Sequence, residues 1–112
     1  VELSFVRDDI SNYLQKNDGE YFDQIVLDPP KLAPSISGLA KASRKYHSLN
    51  RDAIKCINPE TGGLFMTCTC SAAMTQKDGG NYFLQVVQQA SLSAKRQITL
   101  LRVNNAAPCH TQ

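Results

Sequence analysis

Tryptophan is missing from this chain, and so is any apolar run near the roughly 20 residues that a membrane helix needs. The opening VELSFVRDD lacks the layout of a signal peptide, so an intracellular protein, cytoplasmic or organellar and not secreted, is expected. Cysteine is scarce. Cys56, Cys68, Cys70 and Cys109 are too few and too unevenly spaced for a secreted disulfide framework, and no C-x-x-C pair occurs. A zinc site drawn from Cys68, Cys70, Cys109 and His110 would take two ligands only two residues apart on one strand, so no metal is expected. The absence of G-x-x-x-x-G-K-[ST] removes the phosphate-binding loop of nucleotide hydrolases. There are no internal repeats and no low-complexity tract.

What remains is an ordinary globular composition of 112 residues, enough for one domain with a single core. The first residue is not methionine and the chain opens on strand-like sequence, which predicts a piece excised from a longer polypeptide. A formal charge of +2 says little about nucleic acid, but its distribution is uneven. Between Lys41 and Lys55 stand Lys41, Arg44, Lys45, Arg51 and Lys55 against the single acid Asp52. Such a run is a solvated helix face or a surface that meets phosphates.

Hydrophobic spacing divides the chain. Leu3 to Arg7 reads as a strand, and Asp8-Asp9 as the N-cap of a helix with Ile10, Tyr13 and Leu14 at i, i+3, i+4, ending by Asp18-Gly19. Phe22 to Leu27 is a second strand, stopped by Pro29-Pro30, which have no N–H for a ladder. Leu39, Ala42, Tyr46, Leu49, Ala53 and Cys56-Ile57 keep helical spacing for about five turns. After the stop signal NPETGG, Leu64 to Cys70 suits a central parallel strand buried on both faces. A third main helix carries Tyr82 or Phe83, Val86-Val87, Ala90 and Ala94, and Gln97 to Val103 is a fourth strand. The alternation predicts an α/β fold, with about four mostly parallel strands and helices on both faces.

In such a sheet, ligands gather beyond the carboxyl ends of the strands. Three of those ends carry useful groups: Asp8-Asp9, Asp28-Pro29-Pro30-Lys31 and Cys68-Thr69-Cys70-Ser71. Asp28 is either a turn-capping acid or a carboxylate that meets a ring nitrogen or amino group of a flat substrate, and the tandem proline favours the second. The two-residue period puts Cys68 and Cys70 on one face of their strand. Both suit a core as small packing residues. Cys70, nearer the tip, also suits a nucleophile, with Lys31 placed to stabilise a thiolate.

The runs VRDDI, FDQIVLDPPKL, RKYHSLNRDAIK, GGLFMTCTCS and RVNNAAPCH resemble, in that order, the catalytic domain of ribosomal large-subunit RNA cytosine-5 methyltransferases. These are class I, Rossmann-like enzymes that use S-adenosylmethionine, and the resemblance covers nearly all of the chain. It implies that Asp9, with Asp8 as runner-up, contacts the donor's adenine. Asp28 and Pro29 would lie between donor and target cytosine, and Cys70 would be the nucleophile. Pro30, Lys31, Arg44, Tyr46 and Asn50 would serve the RNA side or support it. The implied chemistry adds the Cys70 thiolate to cytosine carbon 6. Carbon 5 is thereby activated to take the methyl group, while Asp28 stabilises charge at ring nitrogen 3. Cys68 is expected to pack, and the group that releases the product is unassigned. At the carboxyl end, Cys109 stands where members of that family usually carry an acid before His-Pro.

A further absence matters against that resemblance. The six glycines contain no G-x-G, so the turn that cradles the donor's methionine half is missing. The resemblance implies that residues 1–112 are the carboxyl-side portion of a catalytic domain, inactive alone and unable to bind the donor by itself. Of its four strands, only those ending at Asp28 and Cys70 would be natural neighbours. A rearranged or dimeric sheet is therefore expected, with a homodimer formed through incomplete edges. Two other readings are a methyltransferase acting on guanine amino groups and a non-catalytic module that binds RNA or dimerises.

Overall fold

The computed structural model describes residues 3–16, 19–29, 38–69 and 81–103. Helix α1 spans Ile10–Lys16, strand β1 Gln24–Leu27, helix α2 Leu39–Lys55, strand β2 Leu64–Thr67 and helix α3 Asn81–Ser93. The α/β class and all three helices follow the hydrophobic spacing. At the start of α1, Asp9 acts as the expected cap, its Oδ2 accepting from the Asn12 N–H at 3.3 Å.

Strands β1 and β2 pair in parallel, with Gln24 opposite Leu64 and Leu27 opposite Thr67. An isolated parallel bridge, Phe22 with Ile57, extends the contact at the amino end. The turn between α2 and β2 is built by Asn58, whose side-chain oxygen accepts from the N–H groups of Glu60 and Thr61. Gly62 closes it at φ +72°, a left-handed conformation suited to glycine.

Helix α2 is the hub. One stripe, Leu39, Ala42 and Tyr46, packs against Tyr82, Phe83 and Val86 of α3. A second stripe, Leu49 and Ala53, packs with Leu27 of β1 and is joined by Leu14, Ile25 and Phe65. Its basic residues Lys41, Arg44, Lys45 and Lys55 are exposed, so they form the solvent face of the helix. Two features hold the far end of α3. Lys95 takes a left-handed φ of 58° while the Arg96 N–H returns to the Ser91 carbonyl, a Schellman closure. The Arg96 guanidinium then donates to the carbonyls of Ile57 and Lys55, just where α2 leaves its last carbonyls unpaired.

Three expectations need correction. Among the described residues the sheet has two strands, not four: residues 3–7 and 97–103 form no ladder. Strand β2 is not buried on both faces, since Leu64 and Met66 are more than half exposed, as is Val26 beside them. The helices that contact the sheet lie on one face rather than two. The physical reason is common to all three. A strand borrows its stability from neighbours on both edges and layers on both faces, and only the Asp28 and Cys70 strands have each other. The described sheet keeps that pair and leaves the other two segments unpaired, without the rearrangement expected.

Candidate functional site at the strand tips

Each parallel strand carries its chemistry one step past the last ladder pair. Beyond Leu27 and Thr67 come Asp28 and Cys68, and the Cys68 N–H donates to the Leu27 carbonyl at 2.9 Å. Alternation sends Leu27 and Phe65 toward α2, and hence Asp28 and Cys68 toward the bare face. Pro29 is buried directly behind Asp28, while Asp28 itself is exposed. Burial and then the Asp28 carboxylate raise the Cys68 thiol above its ordinary value. Cys68 therefore keeps its proton at neutral pH.

On the opposite side of the tip, Thr69 turns toward α2. Its hydroxyl donates to the Tyr46 phenol oxygen at 2.8 Å. Tyr46 is completely buried, stacked edge-on against Phe83 with centroids 5.6 Å apart and planes at 81°. Asn50, also completely buried, donates from Nδ2 to the Tyr46 carbonyl at 2.8 Å. Both side chains lie in the core of the fold rather than on its surface. Arg44 is exposed on the outer face of α2 and retains access to a phosphate.

Asp9 belongs to the cap of α1, and its neighbour Asp8 pairs with Lys16 at 3.7 Å. Asp8 lines a shallow cleft of about 200 Å³ with Val6, Ile10 and Tyr13. No hydrogen bond or ion pair joins either acid to Asp28. A larger cleft, about 360 Å³, lies at the other end of the domain, where the strands begin, between Gly19–Tyr21 and Asp52–Cys56. Pro30, Lys31 and Cys70 lie outside the described residues, as do Cys109 and His110. Among the described residues no group of three His, Cys, Asp or Glu side chains is arranged for a metal ion. No described helix is long and apolar enough to cross a membrane.

Sequence reasoning missed the Tyr46–Thr69 bond, the Ser43–Tyr82 bond and the Arg96 clamp. The residues involved stand 23 to 41 positions apart, and no local pattern links them.

Comparison with known proteins adds to this geometry. The chain is similar to ribosomal RNA methyltransferases. It is 37% identical over 111 residues to the ribosomal RNA large subunit methyltransferase I of Klebsiella pneumoniae, covering 97% of this chain. The proteins of that name from Enterobacter sp. and Salmonella paratyphi B are 38% and 35% identical over the same length. In each case the match spans 26% of the relative, so the chain corresponds to about a quarter of the length of these curated proteins. No family model matches it.

Proposed function

We propose that residues 1–112 form the carboxyl-side portion of the catalytic domain of a ribosomal RNA cytosine-5 methyltransferase, with S-adenosylmethionine as donor and RNA as substrate. The observation that carries this reading is the pairing of β1 with β2, which sets the Asp28 carboxylate beside Cys68, two residues before Cys70. The similarity to methyltransferases named for large-subunit RNA supports the substrate class.

In this reading Cys70 is the nucleophile and Cys68 is not, because a thiol raised by burial and a neighbouring carboxylate supplies almost no thiolate. The Cys70 thiolate adds to carbon 6 of the cytosine while Asp28, acting as a carboxylic acid, transfers its proton to ring nitrogen 3, which otherwise would carry the added negative charge. Carbon 5 then takes the methyl group, and loss of its proton expels the thiolate. In the same reading Asp9 serves the donor, and Arg44 and Lys31 serve the RNA.

The test is a graft. Residues 1–112 replace the matching quarter of the Klebsiella pneumoniae relative, and labelled methyl transfer to large-subunit RNA is followed by nucleoside analysis. The expected product is 5-methylcytidine. Cys70→Ala abolishes it, and Asp28→Asn lowers the rate about 10²-fold or more, as for loss of one charge-stabilising group. A methylated guanosine amino group, or full activity with Cys70→Ala, would overturn the assignment.

A further inference from the structure

Two hydroxyl pairs tie α2 to the residues on either side of the 70–80 connection. Thr69 precedes that connection and donates to the Tyr46 phenol at 2.8 Å. Tyr82 follows it and lies 2.6 Å from the Ser43 hydroxyl. Ser43 has one hydroxyl proton, and its 2.7 Å bond to the Leu39 carbonyl uses it, so Tyr82 is the donor to Ser43. Ser43 and Tyr46 are three residues apart and so share one face of the helix. Below them, Asn50 holds the Tyr46 carbonyl, and Phe83 fixes the Tyr46 ring from the side.

We infer that Tyr46 is a positioning residue: through the Thr69 hydroxyl it fixes the tip of β2 at Thr69, the residue from which the chain passes directly to Cys70. This inference rests on the assignment of Cys70 as nucleophile made above. Three observations converge on it. The phenol is fully buried, so its hydroxyl is not spent on solvent. Its partner is the residue immediately before Cys70. The matching Ser43–Tyr82 bond anchors the other side of the same connection to the same helix face, so both feet are set by one rigid element. A ring that only filled space would need no hydroxyl, and phenylalanine would serve.

The experiment uses the 112-residue chain with Tyr46→Phe, Thr69→Val, the double variant and the conservative Thr69→Ser. Hydrogen exchange is read at the Cys68 amide, which reports the tip through its bond to Leu27. The Leu64 amide, bonded to Asp23 at the other end of the strand pair, is the control. Loss of one side-chain hydrogen bond accelerates exchange at Cys68 about five- to tenfold in Tyr46→Phe and in Thr69→Val. The double variant is no faster than either, Thr69→Ser stays with the parent, and Leu64 changes far less.

Alkylation of Cys70, resolved by peptide, supplies the second readout. Parent and Thr69→Ser share one pH–rate profile, and Tyr46→Phe and Thr69→Val share another. Equal acceleration at Cys68 and Leu64 reduces Tyr46 to general packing and overturns the inference. So does a single alkylation profile for all variants, because the clamp would then hold the strand without setting the thiol. If the grafted enzyme keeps its activity without Cys70, the nucleophile assignment falls, and the exchange data still decide whether the clamp exists.

Discussion

A thiol and a carboxylate placed side by side must disagree about charge, and Cys68 records that disagreement. Burial is the larger cause of its raised pKa and the Asp28 carboxylate the smaller. Asp28→Asn therefore lowers the Cys68 midpoint without returning it to the ordinary thiol value, since burial remains. Peptide-resolved alkylation across pH measures this, and an unmoved midpoint would mean that the two groups do not face each other. The sign for stability follows from proton binding. The folded state holds the Cys68 proton more tightly than the unfolded state. This contribution is therefore fully present below the unfolded thiol pKa and is lost as pH rises through the raised folded value. At this scale the sequence was legible where chemistry is carried by residue type at a strand end, as for Asp28 and Cys68. Tyr46 was legible only as part of an apolar stripe, because the partner that gives its hydroxyl a purpose is supplied by the fold.

Elements differ in how much of their stability they carry with them. A helix makes its backbone bonds internally, so the stripes of α1, α2 and α3 were sufficient to find them, although the spacing that runs from Leu39 to Cys56-Ile57 overshoots the helix, which ends at Lys55. A strand has no such closure. Leu3 to Arg7 and Gln97 to Val103 have strand-like composition, yet in the described chain neither pairs with the open edge of β1 or of β2. The β1–β2 pair forms because a turn and a close approach start it correctly. Gly63 is the residue of that approach: a Cβ there would fall on the Asp23 carbonyl, the same oxygen that accepts from the Leu64 N–H at 2.9 Å. Gly63→Ala thus forces the first ladder bond apart and costs about 1–3 kcal/mol, as overpacking does. Gly38→Ala, with open space around the new methyl, serves as the control and stays near the parent in a denaturant titration. Equal stability of the two variants would show that the strand pair is not set at Gly63.

Taken whole, the described residues leave large apolar side chains in contact with water. Phe5 is 90% exposed, Leu101 76%, and Val26, Leu64 and Met66 form a bare patch on the uncovered face of a parallel pair. Parallel sheets persist almost only where both faces are covered, so this face together with the two open edges is the strongest demand the fold makes on its surroundings. In relatives about four times as long, further polypeptide is present beyond the matched quarter. For the isolated chain, another copy is a means of cover that this apolar face would favour, since the described sheet has not closed its own edges. Concentration-dependent association is the expected outcome. Light scattering on a sizing column should show mass rising above that of one chain as concentration approaches about 100 µM, with binding of a hydrophobic dye. Val26→Lys with Met66→Lys, both on the bare face and away from the α2 core, should suppress association while leaving the unfolding midpoint near the parent value. A monomer at every concentration that takes up no dye would mean that the chain tolerates its open face alone, and the homodimer would have to be abandoned.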